Sequence, residues 1–395
     1  MHIGGAKIMD KFKMKLKQAD WWEITYLIIY GSVFTFEFLN TTMFEVKWPP
    51  RFAYIFLAST ALYVIAKFIW RNTYTKKEMI WAGIILFAFL MPALLTEYRF
   101  LWYTGFLIVG AKDIDFNKIL KVYLVIGITI MVAAFGASQM GWIENLQYQV
   151  FRDEELIIRN SFGSVYPTDF SAHVFYIAVA GVCLSENKIT WGKIFNFVVL
   201  ATFVSDKCGA RTSAICLCLM AVMLVSVKYL KDKIKTDVIY HVMNLSTMTL
   251  AGVFVGLVHL YDEANNKLVG LNETLSNRLS ISSKAIGLYD YELFGQNIVE
   301  VGFGRSTEYP TVEYFFLDSS YIRIALLYGV ILFVVTLLVL WRAGKHAIMN
   351  KRIIVVIAIM VIAVQSFMEH HILEIAYNPI LCLVFAKCNQ VEDKR

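Results

Sequence analysis

The stretch WWEITYLIIYGSVFTFEFL, Trp21–Leu39, decides the class of fold. It sets two acids, Glu23 and Glu37, among aromatic and branched side chains, and it approaches the roughly 20 apolar residues that a helix needs to cross a bilayer core. Lys7, Lys11, Lys13, Lys15 and Lys17 precede it, which gives the outline of a secretory signal. No small-residue cleavage site follows and further apolar runs come after it, so the stretch is expected to be a retained first helix. Those runs recur at 51–70, 79–96, 99–110, 119–137, 170–185, 191–205, 211–227, 238–259, 319–341, 352–368 and 372–388. The expectation is an all-α, polytopic membrane protein of about twelve transmembrane helices, formed as one integral domain over 1–395.

Composition leads to the same class. The 395 residues are 58% hydrophobic and 17% charged, whereas soluble domains carry about 45–50% apolar and about 25% charged residues. Twelve spans at about 20 residues each consume about 240 residues, which leaves no length for a large catalytic domain outside the membrane. Any chemistry must therefore sit on the spans and the short loops. Six cysteines (Cys183, Cys208, Cys216, Cys218, Cys382 and Cys388) lie mostly inside apolar runs without metal-ligand spacing and read as packing residues.

The net charge of +6 takes its meaning from where the cations fall. With a cytoplasmic N-terminus, roughly two thirds of the 37 Lys and Arg lie in the N-terminal tail, in 71–78, 111–121, 186–193, 228–237 and 342–352, and in the C-terminal tail. That is the bias a twelve-span chain with both termini in the cytoplasm requires. A nucleic-acid partner loses its support, because the basic excess is spread over short turns. Two longer segments, 138–169 and 260–318, then face outward. Within the second, the apolar positions from Leu275 to Leu288 recur at helical spacing, which predicts short amphipathic helices followed by a turn at Gly302 and Gly304.

Cations are unusual on the outer face, so Arg159, Arg211, Arg278 and Arg305 are the informative ones. Arg159 opens RNSFGSVYPTDF, with Pro167 marking helix entry. Arg211 opens a span after Gly209-Ala210, where a helix N-terminus adds N–H donors suited to a phosphate. Each Arg alone reads as an interface anchor or as the partner of an acid such as Asp153 or Glu273; several bordering one bundle suit a diphosphate. Asp318, before Ser319-Ser320, reads either as a helix cap or as a proton acceptor. Glu369, His370 and His371 close the eleventh run as interface or substrate-binding residues. No HExxH, Cys-His cluster, Walker loop or GxGxxG occurs, so neither a metal nor a cofactor is expected. The sequons at Asn40, Asn244 and Asn272 carry no weight without a glycosylating host.

In this order, RNSFG (159–163), GART (209–212), NRLSISSKAIGLYDYELFGQNIVEVGFG (277–304), LDSSYIRIALLYGVI (317–331) and EHHILEIAYNPIL (369–381) resemble the O-antigen and capsular polysaccharide polymerases of the Wzy type and the related O-antigen ligases. The likeness covers roughly 150–340 and the C-terminal stretch. It implies a metal-independent membrane glycosyltransferase in a bacterial plasma membrane, with its site on the outer face. That enzyme would move a growing glycan from undecaprenyl pyrophosphate to the terminal sugar of an undecaprenyl-pyrophosphate-linked repeat unit. The resemblance implies that Arg211 and Arg278 hold the donor diphosphate; Arg159, Arg305, Glu369 and His370 are expected as further substrate contacts from their place on the outer face. Asp318 stands where the ligases carry a histidine base, which favours a polymerase over a ligase. The tryptophan often found after the loop arginine is missing; Ser283 and Lys284 lie near its place. The lipid-linked oligosaccharide and the bilayer are the expected partners, and the sequence does not decide whether the chain acts alone or beside a flippase and a chain-length regulator. A lipid-linked sugar transporter and a non-catalytic scaffold are the readings from other classes.

Overall fold

A computed structural model describes residues 20–46, 49, 51–152, 155–186, 188–230, 236–308 and 311–389. The basic residues at 7–17 and 231–235, Lys394 and Arg395, and Asp153, lie outside this set. In chain order the helices are α1 (Trp21–Asn40), α2 (Arg51–Ala66, continued by a π turn at Lys67–Arg71), α3 (Lys76–Leu95), α4 (Phe100–Gly110) and α5 (Phe116–Gln139). A hairpin of β1 (Gln147–Arg152) and β2 (Glu155–Asn160) follows. Then come α6 (Pro167–Leu184), α7 (Trp191–Cys208), α8 (Arg211–Leu230), α9 (Thr236–Asn244), α10 (Ser246–His259), α11 (Asn266–Thr274) and α12 (Arg278–Leu288). The last helices are α13 (Ser320–Arg323), α14 (Val330–Met349) and α15 (Ile353–Gln365).

The protein is mostly helical, as the apolar runs require, and among the described residues six helices are long and apolar enough to cross a membrane. These are α2 with its π turn, α3, α5, α6, α8 and α14; α9 and α10 form a seventh if their 41° bend lies within one span. Apolar side chains on their outer surfaces, among them Leu62, Ile65, Phe87, Val125 and Val132, are exposed. Water does not tolerate so broad an apolar surface, and lipid does. At 11 residues α4 is about 16 Å long, short of the ~30 Å hydrocarbon core, and α15 has 13 residues.

Local chemistry sets where elements start and stop. Thr75 and Glu78 form a capping box at the start of α3. Lys67 is fully buried and donates to the carbonyls of Gly110 and Lys112, a cation placed on the C-terminal end of α4 where the helix dipole favours it. One end of the bundle is laced by Asp20–Arg71, Glu23–Lys118, Glu78–Lys112 and Glu186–Arg352 pairs. The opposite end carries the hairpin, α11, α12 and the long segments 289–308 and 311–317.

One outer segment carries structure that the sequence reading left open, and two expectations need correction. The segment 138–169 contains a β-hairpin, with Gln147 opposite Asn160; its period-two stretch was buried in a polar composition. The run 319–341 is not one helix. It breaks at Gly329 (φ 95°), because Leu293 O and Gly295 pack against that backbone and leave no room for a side chain. α13 and its π turn therefore stay at the loop-rich end, and the long helix begins only at Val330. The run 372–388 is not an α-helix but buried 3-10 turns at His371–Leu373 and Pro379–Val384, since Asn378 caps the second turn and Pro379 opens it. Its backbone finds partners on neighbouring elements and within the run: Tyr123 Oη donates to Tyr377 O (2.7 Å), His346 Nδ1 contacts Leu383 O (3.1 Å), and the run's own Asn378 Nδ2 donates to Ile372 O (2.9 Å). Irregular backbone at such depth is tolerated only inside protein.

Candidate functional site at the loop-rich end

The site is assembled from four stretches of chain. The first follows β2. Gly163 (φ 82°) lies so close to Ala134 O that only glycine fits, and it accepts from Met43 N (2.8 Å), which fixes the run into α6 against α5 and the end of α1. Upstream, Arg159 is buried, donates from Nε to Cys208 O (3.0 Å) and lies over the Tyr166 ring at 5.6 Å. Gly209 (φ 57°) ends α7, and a Cβ there would sit 2.9 Å from Arg159 Cγ. The turn that ends α7 therefore also makes room for the arginine stem. Arg211 follows two residues later as the exposed first residue of α8, on the same lip as Arg159.

The second stretch is α12. Buried Asn272 accepts from the backbone N–H groups of Leu279 (3.1 Å) and Ser280 (3.0 Å) and so anchors the start of the helix that Arg278 opens. This burial also removes Asn272, like Asn244, from consideration as a glycosylation acceptor. Arg278 pairs with Asp318 (Nη2–Oδ2 2.8 Å) and donates to Ser276 O (2.9 Å), while its Nε is buried without a partner among the described residues. Asp318 is not a helix cap: α13 is capped by Ser319, without a side-chain bond, and the Asp318 carboxylate faces Arg278. Arg159, Asp318, Arg278 and Asp169 all act electrostatically on the Tyr166 hydroxyl, whose pKa burial raises. Tyr166 is therefore the point at which the two lips meet.

The third stretch is the turn after α15. Ser320 N and Oγ both donate to Glu369 O, which ties this turn under Asp318. Glu369 is buried, and burial pushes its carboxyl up to about 7 although His371 and Arg278 work against the rise. His371, only 1% exposed, places Nε2 3.8 Å from both Asp169 Oδ1 and Glu369 Oε2, and Nδ1 3.3 Å from Glu374 Oε2. His370 lies beside it, with Nε2 3.6 Å from Glu374 Oε1. The His371 ring stacks on Tyr377 (3.8 Å), Tyr377 on His173 (4.0 Å) and His173 on Phe38 (3.8 Å), so one column of rings runs down from the site into the core.

The fourth stretch, 289–308 with 311–317, covers the mouth. Phe303 packs on Tyr148 (5.5 Å) and Tyr166 (6.0 Å), and Phe316 packs edge-on against His370 (5.4 Å). Gly304 takes φ 60° in the anticipated turn. Arg305 is exposed and donates to Asn40 O (3.2 Å), so it pins this cover to α1 at the rim and does not join the Arg278–Asp318 pair.

Of the residues picked from sequence, Arg278, Asp318, Glu369 and His370 come together, Arg159 joins them across Tyr166, and Arg211 and Arg305 stand on the rim. Asp169, Glu374, Tyr166, Tyr377 and His173 were missed. A faint signal existed in the H-H-x-x-E order of 370–374 and in an acid three residues into a Pro-initiated helix. The arrangement can grip an anion with guanidinium groups and hold the Glu369 carboxyl near neutral pH. His370, His371 and Glu374 bring their ligand atoms within 4.8 Å of one another. No protein-family model, no curated protein and no solved structure matches the chain.

Proposed function

We propose that this protein is a membrane glycosyltransferase, a polysaccharide polymerase that transfers a growing glycan from undecaprenyl pyrophosphate to the terminal sugar of an undecaprenyl-pyrophosphate-linked repeat unit. The observation that carries the reading is the half-buried Arg278–Asp318 pair, with Arg159 across Tyr166, at the loop-rich end beside the buried Glu369. The pair is an anion exchanger in waiting. A diphosphate arriving at Arg278 takes over the guanidinium and frees the Asp318 carboxylate beside the acceptor sugar. The acceptor hydroxyl oxygen then attacks the anomeric carbon, the carbon–oxygen bond to the diphosphate breaks with its electron pair leaving on the diphosphate, and the hydroxyl proton passes to Asp318. Inversion follows, since one displacement occurs. A fixed donor to a developing anion is typically worth about 2.7–4 kcal/mol, and a positioned proton acceptor contributes roughly 10²–10⁴-fold.

Twelve crossings, with both termini in the cytoplasm and the site outside, fit this reading. The basic turns at 71, 112, 118 and 352 all join ion pairs at the end opposite the site. In this assignment α4, α15 and the 3-10 segment after His371 are short or irregular crossings sheltered by their neighbours. A flippase and a chain-length regulator are the partners that would supply and limit such a reaction. A transporter of lipid-linked sugar is the second reading, supported by the broken segments at 320–329 and 366–388, which pack together at the site.

The test is chain extension by purified protein on synthetic pyrophosphate-linked repeat units. Wild type should give a ladder of products, and Arg278→Ala should lose it by roughly 10²–10³-fold at unchanged membrane abundance. A ladder of normal length from Arg278→Ala would end the proposal. Movement of substrate across vesicles without new glycosidic bonds would put the transporter in its place.

A further inference from the structure

Beneath the Arg278–Asp318 pair, we propose that His370, His371 and Glu374 bind one divalent transition-metal ion of the zinc class. The inference does not rest on the glycan-transfer reading and goes against the sequence-based expectation of no metal. Two imidazole nitrogens and a carboxylate converge from one turn, with His371 Nδ1 3.3 Å from Glu374 Oε2 and His370 Nε2 3.6 Å from Glu374 Oε1. Ligand atoms bound at about 2.0–2.1 Å to one tetrahedral ion stand roughly 3.3–3.4 Å apart; the two contacts to Glu374 are already near that figure, and the ligand atoms, which all lie within 4.8 Å of one another, close the rest by side-chain rotation on binding.

The second observation lies on the far side of the same ring. His371 Nε2 has no hydrogen-bond partner among the described residues and is completely enclosed, yet it points between Asp169 Oδ1 and Glu369 Oε2, 3.8 Å from each. A metal-bound histidine characteristically directs its other N–H at a carboxylate, which fixes the tautomer and turns the opposite nitrogen to the ion. Here two carboxylates wait on that side. The ring has little freedom to turn away, since it is stacked on Tyr377 at 3.8 Å. Electrostatics favour the same occupant: Asp169, Glu369 and Glu374 surround one buried imidazole, and a doubly charged ion offsets them. Imidazole ligands select zinc, cobalt or nickel over magnesium and calcium, which prefer oxygen. The ion would brace the turn that holds Glu369 and Ser320 under Asp318, and it would act as a positioning element for the mouth.

The experiment uses the full-length protein, purified in detergent with a tag that does not bind metals, stripped with a chelator and then titrated with Zn²⁺ or Co²⁺. Mass spectrometry of eluted metal should find one Zn²⁺ per chain, and Co²⁺ should develop a visible ligand-field band that excess Mg²⁺ does not remove. His370→Gln and Glu374→Gln, which preserve size and can be checked for folding by gel filtration, should each lose the band. Glu369→Gln, outside the ligand set, should weaken Co²⁺ binding 10–100-fold while keeping the band at saturation. Wild type with no metal above the detergent blank would overturn the site, and so would unchanged stoichiometry in a correctly folded His370→Gln/Glu374→Gln double variant.

Discussion

Replacing Glu300 with Gln tests what holds the covering segment over the site. Glu300 meets Arg323 through two bonds, Oε1 to Nη1 at 2.6 Å and Oε2 to Nη2 at 2.7 Å, and the two side chains are only 11% and 9% exposed. The same carboxylate accepts from Leu317 N (2.9 Å), while Arg323 donates to Leu317 O (3.1 Å) and lies over Phe316 at 4.8 Å. One pair thus ties the covering segment on both sides, with Phe303 on Tyr166 and Phe316 on His370, to α13. Glu300→Gln keeps the shape and removes the charge, leaving a buried guanidinium with a neutral acceptor. Breaking such a pair from one side costs about 3–5 kcal/mol; one hydrogen bond survives, which places the expectation near the lower figure, about 3 kcal/mol. Unfolding titrated with dodecyl sulfate in mixed micelles measures it, and tryptic cleavage after exposed Arg305 reports the local release. Replacing both partners, Glu300→Leu with Arg323→Met, should recover most of the loss, because no uncompensated charge remains. A cost under about 1 kcal/mol, with cleavage at Arg305 unchanged, would show that the pair behaves as a solvated surface bridge and that something else holds the cover.

Two glycine substitutions probe the geometry more sharply. Gly209→Ala puts a methyl 2.9 Å from Arg159 Cγ at a left-handed turn, so it should cost about 1–2 kcal/mol and displace the guanidinium from Tyr166; the check is a stability titration paired with any assay of anion binding, and intact binding would separate Arg159 from the site. Gly329→Ala is harsher. Its Cβ would lie 2.5 Å from Leu293 O, and backbone cannot yield as a side-chain tip can, so folded protein should disappear from membranes or return only with large losses. Normal expression of Gly329→Ala would mean that 290–297 does not pack where the structure puts it.

How much of this was legible depends on which physical quantity each feature expresses. Hydropathy reads side chains, so α1, α7 and α8 appeared close to their observed bounds. The same quantity is blind to the backbone. The runs 319–341 and 372–388 are apolar because they are buried, and burial inside protein leaves the chain free to be irregular wherever a neighbour supplies the missing hydrogen bonds, as Tyr123 does for Tyr377. Arg159 and Arg278 were found because topology makes an outer cation improbable, which marks them one residue at a time. That signal could not pair Arg278 with Asp318, which lies forty residues along the chain, nor set Asp169, Glu369 and Glu374 around His371, since each carboxylate alone looks like an ordinary boundary residue. Their convergence is a property of the packing that broke the two apparent helices. Continuous helices at 319–341 and 372–388 would carry the backbone straight past the loop-rich end. The break at Gly329 instead keeps α13 there, and the turn after Gln365 lets Glu369 O accept from Ser320 directly under Asp318. The departures from hydropathy and the assembly of the site are therefore one event, and a variant that straightened either break would dismantle the acid–histidine cluster without touching any of its members.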